Sequence, residues 1–157
     1  MFITTKGIVL RTYPFREKKI IAKIFTKDDG LVSFIVTKNK SQNILSQLLT
    51  IAEIVYKKTK NQTLFYVKEA QVEYIYSSLT SNPYKIQCSM ILCEILNKCL
   101  KERNTIVYDF IIESFRFLDI NPAPLPGFNA LFLIKLCKVI GVEPWKPKTK
   151  TSTSLVL

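Results

Sequence analysis

The chain of 157 residues is 48% hydrophobic and contains ten Phe and seven Tyr, which is enough for a packed core and excludes global disorder. Its 23 Lys and Arg against 12 Asp and Glu leave a net charge of +11, which favours a polyanionic partner, although a solvated lysine-rich surface would give the same balance. The lack of histidine excludes Ser–His and Cys–His catalysis. The sequence has neither an apolar run long enough to cross a membrane nor a signal peptide, so we expect a soluble cytoplasmic protein without a membrane partner.

The first predicted strand, Ile3 to Arg11, displays Lys6 and Arg11 among apolar residues. Gly7 lies inside it, where glycine indicates a bulge, a bend or a close approach of two backbones. A bent, basic first strand is typical of a small barrel that faces a polyanion. The residues from Thr12 to Glu17 are predicted to form a loop.

Four more strands follow in the predicted order. Asp28-Asp29-Gly30 is a tight-turn signature that joins the second and third strands into a hairpin. A polar loop and one short helical turn precede the fourth strand. The predicted ranges are Lys19–Thr26, Leu31–Thr37, Thr50–Lys58 and Leu64–Tyr76. Five short strands of this kind predict an OB-fold barrel, with an SH3-like barrel as the near alternative.

The hydrophobic period then changes from two to 3.6 residues, which predicts a small all-helical domain and an α+β protein. Ser81-Asn82-Pro83 is a helix-start signal. Second and third helices are predicted to begin near Asn104 and to cover Phe128–Ile140. The expected domains are 1–79 for the barrel, 80–144 for the helices and 145–157 for a disordered polar tail. Because the third helix is apolar on nearly every side, we expect self-association, or reliance on a partner, through this helix rather than through the barrel.

The four cysteines form no C-x-x-C pair, so neither a zinc site nor another cofactor is predicted. Cys88 and Cys99 are eleven residues apart, which places them on one helical face. We expect them to be small core residues.

Cations and aromatic residues of the first forty positions are the candidate nucleic-acid ligands. Up to Thr80 the chain holds 13 basic and 6 acidic residues, against 10 and 6 in the remainder. Tyr13, Phe15, Tyr56 and Tyr66 are candidate platforms for base stacking. Core or interface packing is the competing interpretation, and it weighs more for Tyr56 and Tyr66 than for the loop residues Tyr13 and Phe15. The candidate phosphate contacts are Lys6, Arg11, Arg16, Lys18, Lys19, Lys38 and Lys40.

The run Thr5-Lys6-Gly7-Ile8-Val9-Leu10-Arg11, followed by Glu17, Phe25-Thr26 and Gly30-Leu31, resembles the opening of the bacterial recombination mediators of the RecO family. The basic loop at Lys38 to Lys40 and the helical segments are similar to the form found in Bacteroidota. The resemblance covers residues 1 to 144. Family members continue further, so the sequence predicts a form truncated at its C-terminus.

The resemblance implies an N-terminal OB-fold, a helical domain, no enzymatic activity and association with the nucleoid. It also implies binding and annealing of single-stranded DNA, help in loading RecA onto strands coated by single-strand binding protein, and RecR as a partner. A basic cluster of Lys98, Lys101 and Arg103 would receive the acidic C-terminal tail of single-strand binding protein, although cations at a helix end also suit the helix dipole. The alternative is a non-enzymatic OB-fold adaptor that binds RNA or protein, because a 2′-hydroxyl contact leaves no signature in the sequence.

Overall fold

A computed structural model describes residues 1–122 and 125–142 of the protein. Five strands are followed by three helices, with one short 3₁₀ helix between the third and fourth strands. The strands are β1 Phe2–Arg16, β2 Lys19–Thr26, β3 Gly30–Thr37, β4 Ile51–Lys57 and β5 Leu64–Tyr74. The helices are α1 Pro83–Cys99, α2 Thr105–Ile120 and α3 Phe128–Ile140, and the 3₁₀ helix is Asn43–Ser46.

The strands close into a barrel in the order β1-β2-β3-β5-β4, with β4 returning to β1. Every pairing is antiparallel except β3 with β5, which is parallel over three residue pairs. This five-stranded closed barrel, with the helices after it, confirms the predicted α+β architecture with an N-terminal OB-fold.

β1 is longer than predicted, so the expected loop at residues 12–17 is wrong. The strand continues through Pro14, which pairs with Ile20, and reaches Arg16 opposite Lys19. Proline is compatible with this position because β4 pairs with β1 only as far as Ile8, so Pro14 lies on an edge with a strand neighbour on one side alone. Tyr13, Phe15 and Arg16 therefore lie on a strand, and the hairpin turn is confined to the two residues before Lys19.

Gly7 marks a close approach of two strands. A Cβ atom at this position would lie 2.5 Å from Cγ2 of Ile24 and 3.2 Å from the carbonyl oxygen of Phe25. The register of β1 against β2 shifts two residues later, between Val9 and Arg11. The glycine thus allows β1 and β2 to come together, and the bulge lies at Leu10.

Two hydrophobic cores share the wall formed by β1 and β2. One fills the barrel, with Val9, Ile24 and Tyr56 among its buried residues. The other lies between the barrel and the helices and includes Ile8, Leu10, Phe25, Leu92, Leu96, Ile111, Phe115, Phe132 and Leu136. The apolar residues on both faces of β2 predict that the strand is covered on both sides. This is confirmed, because Ile24 packs inside the barrel and Phe25 packs in the core next to the helices.

Asparagine caps begin the first two helices, as the sequence predicts. Oδ1 of Asn82 accepts hydrogen bonds from the backbone N–H groups of Tyr84 and Lys85 at 3.0 and 3.2 Å, with Pro83 at the first helical position. Oδ1 of Asn104 accepts from the N–H of Val107 at 3.1 Å. Each cap satisfies donors that the first helical turn leaves without a partner.

The buried face of α1 differs from the predicted one. Leu92, Cys93 and Leu96 are its buried apolar residues, whereas Cys99 is exposed and Cys88 is half-buried. The core prediction for Cys99 is therefore wrong, because α1 presents the turn around Cys93 to the barrel. Burial raises the pKa of the Cys93 thiol to about 12.

A buried carboxylate joins the barrel to the helices. Asp119 of α2 is 2% exposed, and its Oδ1 accepts from the N–H groups of Ser78 and Leu79 at 2.9 and 2.8 Å. Its Oδ2 accepts from the N–H of Ser77 at 3.0 Å and the hydroxyl of Tyr74 at 2.9 Å. The segment between β5 and α1 is thereby held against the end of α2.

The buried amine of Lys85 stabilises the same junction. Its Nζ donates to the backbone oxygens of Asp119 and Asn121 at 2.9 and 2.7 Å and to the Ser78 hydroxyl at 2.6 Å. Three oxygen partners compensate the desolvation of a buried ammonium group.

The third helix is only partly covered. Phe132 and Leu136 are buried, whereas Leu131 and Ile140 are 52% and 43% exposed. No helix in the described part of the chain is both long and apolar enough to cross a membrane. The predicted polar tail, residues 145–157, lies outside the described residues.

Candidate nucleic-acid interface

The outer wall of the barrel displays cations on adjacent strands. Side chains alternate along a strand, so burial of Ile20, Ala22 and Ile24 inside the barrel places Lys19 and Lys23 outside. Directly opposite residues of paired strands share a face, and the pairs here are Arg11 with Lys23 and Arg16 with Lys19. We call the surface formed by Arg11, Tyr13, Arg16, Lys19, Lys23 and Tyr66 the basic face.

The bulge at Leu10 determines which way Arg11 points. Two residues of β1 oppose one residue of β2 there, so Leu10 and Arg11 both project outward. Leu10 packs in the core shared with the helices, and Arg11 is exposed beside it. The basic face therefore begins at the edge of the helical domain.

Two turns extend the basic face at one end of the barrel. The backbone N–H of Lys38 donates to the carbonyl oxygen of Lys18 at 2.8 Å. Lys18 occupies the β1–β2 turn with a φ of +58°, and both lysines are exposed. Together with Lys19, they place three ammonium-bearing residues around this hydrogen bond.

Exposed aromatic rings lie among these cations. Tyr66 is 55% exposed, and Nζ of Lys19 lies 5.4 Å from the centroid of its ring. Tyr13 is 37% exposed, while Phe15 is half-buried with the guanidinium of Arg16 4.9 Å from its ring centroid. Exposed rings flanked by cations are a surface on which bases can stack while the phosphates are neutralised.

The cations of the basic face have no carboxylate partner among the described residues. The four salt bridges of the described residues all involve lysines outside the basic face: Lys6, Lys27, Lys58 and Lys98. Cations without an internal counter-charge attract mobile counterions, which a polyanion releases when it binds. Other exposed lysines of the barrel, such as Lys57 and Lys60, also have no salt bridge among the described residues. What distinguishes this wall is that its cations are cross-strand neighbours on β1 and β2, with exposed aromatic rings among them.

Lys6 lies apart from the basic face. Its Nζ donates to Oε1 of Glu73 at 2.7 Å, and this hydrogen bond and the charge of Glu73 raise the pKa of Lys6. Lys40 also lies elsewhere, lining a concavity with Ile44 and Val72. The structure thus brings together Arg11, Arg16, Lys18, Lys19 and Lys38 of the predicted phosphate contacts, and separates Lys6 and Lys40 from them.

The predicted phosphate contacts did not include Lys23. Of the two interpretations of Tyr66, base stacking and packing, the core packing is not observed, because the side chain is exposed. Lys23 is four positions after Lys19 on the same strand, and the two-residue alternation of strands places both lysines on one face, a signal that the sequence contains. Tyr66 is exposed because the parallel pairing places it beside Ile35 on the outer face, which the sequence did not reveal. Tyr56 is fully buried as expected, and its hydroxyl donates to Asp29.

The residues of the second predicted site, Lys98, Lys101 and Arg103, lie at the end of α1 and in the loop after it. Lys98 lies 3.4 Å from Glu94 on the exposed side of α1. Lys101 accepts a hydrogen bond on its carbonyl oxygen from the N–H of Leu31 at 2.9 Å, so the loop from Lys101 to Arg103 lies against the β2–β3 turn. The side chains of Lys101 and Arg103 are exposed.

Fold and surface together define an OB-barrel protein with an attached helical domain and a cationic wall along β1 and β2. Residues 1–76 match the family described as "Recombination protein O N terminal". The resemblance to the RecO family predicted from the sequence is thereby confirmed.

Relatives called "DNA repair protein RecO" extend the match beyond the barrel. Those of Christiangramia forsetii and Phocaeicola vulgatus are 32% and 29% identical over 152 and 151 residues, and each alignment covers 92% of this chain and 63% of the relative. The relative from Flavobacterium psychrophilum is 30% identical over 152 residues, with the same coverage. The chain therefore spans less than two thirds of the length of these curated relatives.

Proposed function

We propose that the protein binds single-stranded DNA along the basic face and acts in DNA repair and recombination. The observation that carries the proposal is a group of neighbouring cations with no carboxylate partner in the described part of the chain, set around exposed Tyr13 and Tyr66 on the outer wall of an OB barrel. The strand 2–3 face and adjoining loops of OB-folds are a common surface for oligonucleotides. The names of the relatives support DNA as the ligand.

The physical basis is independent of base sequence. Lys and Arg neutralise phosphates and release condensed counterions, and aromatic rings accept any base on their faces. Arg11 and Lys23 are cross-strand neighbours, as are Arg16 and Lys19, so the cations form a track along β1 and β2. A flexible single strand can follow such a track, whereas a rigid duplex contacts a curved wall at fewer points.

The wider role belongs to the same proposal. Residues 1–79 would provide the DNA-binding domain and residues 80–144 a helical domain for protein partners. The complete activity would be annealing of single strands and assistance in loading RecA onto strands coated by single-strand binding protein, with RecR as partner. Lys98, Lys101 and Arg103 would meet the acidic tail of single-strand binding protein as exposed charges.

A titration of fluorescent single strands at several salt concentrations tests the proposal. The logarithm of affinity should fall with the logarithm of salt, by about 0.7 per phosphate neutralised. The double variant Lys19→Glu/Lys23→Glu should bind more weakly and reduce the slope by about 1.4, since two contacts are lost. Lys98→Glu/Lys135→Glu changes the net charge equally on exposed helical positions and should leave the slope near the parent value.

Single substitutions test which individual residues of the basic face contact DNA. Lys38→Glu should weaken binding more than Lys40→Glu, because only Lys38 adjoins the basic face. Tyr66→Ala should reduce the binding free energy by about 1–3 kcal/mol. Phe2→Ala removes a comparably exposed ring, beneath Lys68, and should change affinity little.

Two results would oppose the proposal. Salt-independent affinity would exclude the electrostatic interpretation, and equal losses in the two double variants would exclude the basic face as the main site. RNA of the same sequence serves as competitor. If it displaces DNA at equal concentration, the alternative of a general single-strand adaptor is favoured.

A further inference from the structure

A cleft of about 270 Å³ lies where the barrel meets the first helix. Leu10 and Arg11 of β1 and Leu48 after the 3₁₀ helix form one side, and Met90 and Asn97 of α1 belong to the other. Ligand sites favour such junctions, and drug-sized ligands occupy about 300–1,000 Å³. A cleft just below that range suits a ligand of one or two rings.

Arg11 connects this cleft with the basic face. It lines the cleft, and on β1 it is the cross-strand neighbour of Lys23. A strand whose phosphates follow Lys19 and Lys23 would therefore bring its next sugar to the cleft opening, with a phosphate within reach of the Arg11 guanidinium. No carboxylate pairs with Arg11 among the described residues, so its charge is available to a phosphate.

The walls of the cleft combine apolar surface with hydrogen-bond acceptors. Leu10, Leu48 and Met90 provide flat apolar contact, and Met90 is 53% exposed. Oδ1 of Asn97 is buried without a hydrogen-bond partner in the described structure. Glu94 also lines the cleft, and its closest cation, Nζ of Lys98, is 3.4 Å away. A buried acceptor without a partner is costly until a donor reaches it.

We propose that the cleft receives one base of the bound single strand, and that it prefers a base with an exocyclic amino group. The inference rests on the proposed function and adds a base-reading subsite to it. The exposed carboxylate of Glu94 accepts from the amino group of cytosine or adenine, as carboxylates do when they read base edges. Oδ1 of Asn97 is buried in the structure and accepts from the same amino group when its side chain turns towards the cleft. Thymine presents a carbonyl oxygen at the position of the cytosine amino group. It would therefore place a hydrogen-bond acceptor against the acceptors of the cleft, and no hydrogen bond would form.

Binding of oligo(dC) and oligo(dT) of equal length, measured by anisotropy, tests the subsite. The parent protein should bind oligo(dC) about fivefold more tightly or better. Met90→Trp fills the cleft from an exposed position and should remove this preference without changing the salt slope, since no phosphate contact is lost. Ile91→Trp is the matched control, because Ile91 is 48% exposed on the same helix and does not line the cleft.

The outcomes separate the two proposals. If the parent shows no salt-dependent binding, the proposed function fails and the subsite fails with it. If binding is salt-dependent but the parent does not prefer oligo(dC), or Met90→Trp keeps that preference, only the subsite is refuted. Asn97→Leu is the second variant: should Met90→Trp not fold, loss of the oligo(dC) preference in Asn97→Leu supports the subsite and its retention refutes it.

Discussion

Replacement of Asp119 by asparagine should destabilise the protein and change its response to acid. The carboxylate accepts hydrogen bonds from the backbone of Ser77, Ser78 and Leu79 and from the hydroxyl of Tyr74. Burial alone would raise the pKa of Asp119, but these bonds favour the charged form and bring it down to about 2, from an ordinary value of 3.8. An amide at this position offers one acceptor oxygen and directs its NH₂ group at backbone donors.

The pKa of Asp119 gives the magnitude of the expected loss of stability. One pKa unit corresponds to about 1.4 kcal/mol, so a shift of nearly two units contributes about 2 kcal/mol to the free energy of unfolding at neutral pH. Because the folded-state pKa lies below the unfolded-state value, this contribution is complete above about pH 4 and is lost as the pH falls towards 2. Asp119→Asn should therefore be less stable than the parent at pH 7 by about 2 kcal/mol, with a smaller difference at pH 2.5.

Urea unfolding followed by tyrosine fluorescence and circular dichroism at pH 7, 4 and 2.5 measures this difference. Asp109→Asn is the control, since Asp109 lies on the same helix with a 56% exposed side chain and a 3.5 Å pair with Lys27. It should cost less than about 1 kcal/mol, as exposed pairs do. A difference between parent and Asp119→Asn that does not vary with pH, or equal losses in both variants, would refute the role assigned to the carboxylate.

Two further predictions concern the domain contact and the third helix. Gly30→Ala should cost roughly 3 kcal/mol in thermal or urea unfolding, because its φ is +75° and a Cβ would lie 2.5 Å from the carbonyl oxygen of Lys101. Gly127→Ala has the same φ and open space around it, so it should lose only about 1–2 kcal/mol, and equal losses would contradict the clash. In sedimentation velocity, the parent should self-associate through α3, and this association should disappear in Leu131→Glu. It should persist in the control Ile106→Glu, because Ile106 is exposed on α2. A monomeric parent would contradict the predicted self-association.

The choice of Leu131 in that experiment illustrates what the structure adds to a sequence pattern. The apolar composition of α3 predicts an uncovered face, but it does not say which residues form it. Phe132 is 3% exposed and contacts the rings of Phe110, Phe115 and Phe128, so its replacement would test folding. Only the packing of α3 against α2 identifies Leu131 as an exposed residue of the apolar surface.

Local chemistry in the sequence determined the elements and their order. The change of period from two to 3.6 residues separates strands from helices, Gly30 forms the β2–β3 turn, and Asn82 and Asn104 cap the helices they were expected to begin. These signals depend on neighbouring residues and backbone preferences, so a single sequence contains them. The same is true of the excess of cations in the first half.

Tertiary structure alone decided which cations are available to a ligand. Lys6 and Glu73 are 67 residues apart in the chain, and only the closed barrel brings them to 2.7 Å. The parallel pairing of β3 with β5 places Tyr66 outside beside Lys19, whereas Tyr56 on β4 points into the barrel. A side chain's charge and aromatic character are local properties, but its partner and its exposure depend on strands that are distant in the sequence.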